Sequence, residues 1–175
     1  MNIGNLWRTW LACLIACLPI LVLLLVPQLM RSRAGSSSSL MIGVGVLLIL
    51  IVAAFVCAPL MSAWLAPAPG WRPRSALRAT GALWRRRTGR SVLALSAGIG
   101  VYAIGQIIGY ALAQAVPHVH DNPAFATDPS QSPWLIDYPA FALQAVVIYA
   151  MTTLAVAVYA WQMRALNTRV SGPSA

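Results

Sequence analysis

The chain has 175 residues, 59% of them hydrophobic and only 9% charged, with a mean hydropathy of +0.74. A soluble domain carries about 25% charged residues, so a water-covered globule is excluded and lipid is the solvent that fits. All twelve basic residues are arginine and the only acids are Asp121, Asp128 and Asp137; placed between apolar runs, those arginines set orientation and meet anionic lipid headgroups rather than nucleic acid.

The first apolar segment runs from about residue 9 to 30 around LIACLPILVLLLV, long enough to cross a hydrocarbon core of ~30 Å. Trp7 and Trp10 mark its start as interface residues, Pro19 predicts a bend in its middle, and Pro27 lies near its exit. The run exceeds the h-region of a cleaved signal peptide, and Arg31 and Arg33 follow it, so it reads as a retained span. Cys13 and Cys17 lie four residues apart on one helical face; with Cys57 they read as apolar packing thiols.

After the break RSRAGSSSS comes a second span, residues 40–65, almost purely apolar as far as Pro59. A long arginine-rich loop follows over residues 66–90. Its second half reads as an interfacial helix, with Leu77 and Trp84 on one side and arginines on another. Its cations Arg72, Arg74, Arg78, Arg85, Arg86, Arg87 and Arg90 are the candidate contacts for anionic headgroups or an acidic partner.

The third span, residues 91–116, carries two stripes. Ala94, Gly98, Gly105, Gly109 and Ala113 form a small-residue face, including a GxxxG pair, suited to close helix approach. Beside it run Tyr102, Gln106, Tyr110 and Gln114, whose polar groups should turn from lipid toward another helix or a wet cavity. The fourth span, residues 140–163, offers Gln144, Thr152, Tyr159 and Gln162 on one face, and hydrogen bonding between the third and fourth spans is the simplest construction.

Between them, residues 117–139 form a loop of Pro, Asp and Ser holding the one metal-like cluster, His118-Val-His120-Asp121. In an extended chain both imidazoles would face one way, but zinc wants further ligands, which Asp128 or Asp137 would have to supply. Headgroup-facing histidines are the plainer expectation.

Four crossings place the N-terminus, the basic loop and the C-terminal tail on one side with ten arginines, against two arginines and all three acids on the other. The positive-inside rule makes the ten-arginine side cytoplasmic. The expected fold is therefore all-α, a single polytopic domain over residues 1–175 with four transmembrane helices packed as two antiparallel hairpins. No intramembrane Asp, Glu, Lys, Arg or His is present for proton coupling, no intramembrane His for haem, and no nucleophile sits beside a base. A non-enzymatic, cofactor-free subunit of a larger inner-membrane assembly, partnered by lipid and by another membrane protein or a second copy, is the leading expectation. A permeation path along the Gln/Tyr stripes and an immunity-type protein against a membrane-acting toxin are the alternatives. The Lys-free, Arg- and Ala-rich composition points to a bacterial source.

Overall fold

The computed structural model describes residues 3–31, 36–68 and 70–170; Arg33 lies outside them. The fold is helical, with α1 (Ile3–Ala16), α2 (Leu18–Leu24), α3 (Pro27–Met30), α4 (Ser37–Leu65), α5 (Pro73–Arg86), α6 (Thr88–Ala115) and α7 (Tyr138–Val170). Three of these, α4, α6 and α7, are long and apolar enough to cross a membrane. Gly4–Ala16 and Leu18–Leu24 meet the same test only as a pair bent by 56°.

The break in the first apolar segment has a local cause. Pro19 has no N–H to offer the Ile15 carbonyl and its ring crowds that turn, so α1 stops at Ala16 and α2 restarts at Leu18 with Pro19 in its first turn. Pro27 repeats the effect, because Val26 before it is extended and α3 begins at the proline. The segment doubles back closely enough on α4 that a Cβ at Gly43 would lie 2.1 Å from the Leu29 carbonyl oxygen. Only glycine fits there.

α4 is capped by Ser36, whose hydroxyl accepts from the Ser39 N–H at 3.1 Å. Beyond it the chain turns through a short bridge between Ala68 and Trp71. Trp71 is fully buried and donates its indole N–H to Ser62 Oγ at 2.9 Å, pinning the turn under the end of α4. α5 then starts on Pro73, with the Arg72 N–H donating to Ser75 Oγ, and ends with Arg85 and Arg86 facing the negative pole of the helix. Its buried face is Ala76, Thr80 and Leu83, whereas Leu77 is exposed. Arg87 alone forms the corner into α6.

Helix α7 is the axis. Half of its apolar window is buried inside the molecule, against 11% for α4 and 22% for α6. α6 packs along it; α1 and α4 pack on each other and on α7; α5 crosses α4, α6 and α7. Small side chains allow this crowding, since Ala155, Val156, Ala157 and Ala160 are completely buried and let several backbones approach one helix. At the opposite end from α5, β1 (Val119–Asp121) and β2 (Trp134–Ile136) pair antiparallel, His120 facing Leu135 in register. Asp137 caps α7 by accepting from the Ala140 N–H at 3.2 Å.

Candidate functional site

The seam between α6 and α7 is built on glycine. A Cβ at Gly105 would sit 2.5 Å from Met151 Cβ, and one at Gly109 would sit 2.6 Å from Ile148 Cγ1. Gly98 lies against the Ala155 carbonyl and Tyr159, and Ala94 is buried beside it, while Ala113 at the far end is half-buried. Helix backbones this close exchange dispersion contacts along their length and leave no room for a channel between them.

Several polar side chains of α7 hold other segments of the chain. Arg31, at the end of α3, donates to Gln144 Oε1 at 2.8 Å, and Gln144 Nε2 donates to the Gly109 carbonyl at 3.0 Å, tying α3, α7 and α6 together. The Tyr149 hydroxyl donates to the Leu14 carbonyl, in the last turn of α1, where the break at Cys17 leaves carbonyls without a helical partner. Trp10 Nε1 donates to Thr153 Oγ1 at 3.2 Å and to the Ala150 carbonyl at 3.3 Å. Trp84, from α5, donates to the Tyr159 hydroxyl at 3.1 Å, and Asn167 donates to the Gly70 carbonyl at 3.4 Å. Thr152 bonds back to its own helix at Ile148. Trp10 is thus anchored about halfway along α7 and not at a helix end, where its amphipathic ring alone would have placed it.

Tyr102, Gln106, Tyr110 and Gln114 do not line the seam together. Residues four apart on a 3.6-residue helix drift by about 40° per step, so this stripe rotates steadily away from α7. Tyr102 and Gln106 are half-buried, Tyr110 is 69% exposed, and Gln114 is exposed.

The concavity lies elsewhere. α4 and α6 both lean on α7 but diverge from each other, leaving a lateral groove of about 490 Å³. Ile51, Val52, Phe55 and Val56 form one wall, Leu95, Ile99 and Tyr102 the other, with Tyr159 and Trp84 between them. The Phe55 and Tyr159 rings meet at 5.8 Å. Tyr102 has no hydrogen-bond partner among the described residues. This groove went unmarked in the sequence; the only signal was a tyrosine opening a stripe that then left the interface.

At the hairpin end, His118 is 4% exposed and packs its ring 5.6 Å from that of Phe141, while His120 is exposed. β1 begins only at Val119, so the pleat that would have aligned the two imidazoles does not include His118. No group of three or more His, Cys, Asp or Glu suited to a metal ion forms among the described residues, and His118, His120 and Asp121 do not converge with Asp128 or Asp137. Asp128 is used locally, accepting from Ser130 Oγ at 2.6 Å. Both His118 nitrogens are buried without a partner among the described residues. Burial holds the imidazole below its ordinary value of 6.5; Arg31 pushes the same way, against Asp137.

The loop arginines, Arg72, Arg74, Arg78, Arg85, Arg86, Arg87 and Arg90, are all exposed at the end opposite the hairpin. Gln162, from the fourth-span face, lies among them in a pocket with Arg90 and Arg169. No protein-family model, curated protein or solved structure matches this chain.

Proposed function

We propose that this chain is a non-enzymatic accessory or assembly subunit of a larger membrane complex, and that the α4–α6 groove receives a transmembrane helix of its partner. The bent α1–α2 pair serves as a fourth crossing beside α4, α6 and α7. The arginine-rich end faces the cytoplasm of a bacterial inner membrane and the β-hairpin faces outward, in keeping with ten arginines against two.

One contrast carries this reading. The polar groups in the middle of α7 are hydrogen-bonded inside the bundle, to α1, α5, α6 and α7 itself, so this stretch of α7 serves as a holding axis. The groove beside it is apolar, opens sideways, and includes a tyrosine whose hydroxyl lacks a partner among the described residues. Acyl chains cannot accept a hydrogen bond from a phenol, whereas the backbone or a small polar residue of a helix can.

Purification of the full chain in mild detergent followed by chemical crosslinking tests the proposal. A discrete companion protein, or a second copy, should be trapped, and Tyr102→Phe should lower its yield. A lone monomer under every gentle condition would contradict it.

A further inference from the structure

At the arginine-rich end, the start of α6 and the last turns of α7 enclose a pocket of about 350 Å³, separate from the α4–α6 groove. Its lining is Arg90 and Leu93 from α6, and Gln162, Ala165, Leu166 and Arg169 from α7. Two arginines from different helices therefore border one space, with Gln162 beside them. The three carboxylate side chains of the chain fall between Asp121 and Asp137, before α7 begins. Arg169 lies about 48 Å further along that helix, so none of those carboxylates neutralises this pair.

We propose that this pocket binds the phosphate of an anionic phospholipid. Arginine presents forked donors matched to phosphate oxygens, and two such forks with the Gln162 amide supply donors from more than one side. The remaining walls favour a lipid over a free phosphate. Leu93 is 68% exposed on the outer face of α6, and with Ala165 and Leu166 it offers apolar surface on which the glycerol and upper acyl chain would rest. The pocket joins a cation pair to an apolar surface, matching the polar and hydrocarbon parts of an amphipathic lipid. The site needs only membrane insertion and stands or falls independently of partner docking in the groove.

The test uses the full chain in neutral detergent and measures retention of phosphatidylglycerol against phosphatidylcholine by native mass spectrometry. Wild type should prefer phosphatidylglycerol. Arg90→Gln and Arg169→Gln should each weaken that preference about fivefold, and the double variant about twenty-five-fold; Arg74→Gln, outside the pocket, should change it less than twofold. Both pocket arginines are exposed, so the variants should keep the parent's helicity, and Arg90→Lys should restore part of the preference. A double variant with undiminished preference would overturn the site. Equal loss in Arg74→Gln would reduce it to general basic charge and also overturn it. Displacement of phosphatidylglycerol by glycerol 3-phosphate at matched concentration would overturn the lipid assignment.

Discussion

Gly105→Ala should destabilise the bundle, while Gly100→Ala, five residues earlier on the same helix, should not. The added methyl at Gly105 would lie 2.5 Å from Met151 Cβ, about 0.9 Å inside the 3.4 Å at which ordinary contact begins. Rotamer changes move only atoms beyond Cβ, so Met151 cannot swing clear and α6 must separate from α7. Overpacking of this kind costs about 1–3 kcal/mol, partly offset by the ~0.5–1 kcal/mol that alanine gains over glycine within a helix. The net expectation is a loss of about 1–2 kcal/mol at Gly105. Among the described residues nothing lies within 4 Å of a Cβ at Gly100, so there the propensity gain acts alone. Gly109→Ala should fall between them, since its clash is with Ile148 Cγ1 and Cδ1, which rotate away. Reversible unfolding in mixed micelles, followed by far-UV circular dichroism, gives the three free energies. Equal stability of the Gly105 and Gly100 variants would refute the close seam.

Gln144→Leu removes both the Arg31 bond and the Gly109 bond and should cost about 1–2 kcal/mol in the same assay, whereas Gln114→Leu, on the exposed face, should cost nothing measurable; similar losses in both would remove the special role of Gln144. Stability should also depend on pH through His118, which faces Arg31, Asp137 and His120. Its pKa is lower folded than unfolded, so its contribution is fully present above about 6.5 and is lost as pH falls through the folded value. The drop in melting temperature between pH 7.5 and pH 5 should shrink in His118→Phe, and an unchanged drop would assign the acid sensitivity to another group. In right-side-out vesicles, a membrane-impermeant maleimide should label Ser130→Cys but not Arg85→Cys, with the three native cysteines replaced; the reverse pattern would invert the proposed orientation.

What the sequence made legible followed from strong local constraints. Residues 91–116 and 140–163 are continuous apolar runs, and the observed helices α6 and α7 contain nearly all of them, extending outward where Thr88 and Asn167 still satisfy helical geometry. The glycine face from Gly98 to Gly109 was readable because lack of a side chain has one physical use at a helix contact. Three features were harder to see. Trp10 was drawn inward by a threonine 143 positions away, which no local pattern encodes. The Tyr102–Gln114 stripe was overextended, because four-residue spacing holds one face for only a turn or two. The α4–α6 groove depends on the divergence of two helices that each follow α7, a property of three elements together.

A photoreactive amino acid placed at Ile99, compared with one at Ile104, tests the partner-docking proposal most directly. Both residues are isoleucines on α6, 53% and 54% exposed, but only Ile99 lines the groove. Irradiation of intact membranes should yield a discrete protein adduct from Ile99 and only lipid adducts from Ile104. Matching adducts from both positions, or lipid alone from Ile99, would contradict a partner helix in the groove.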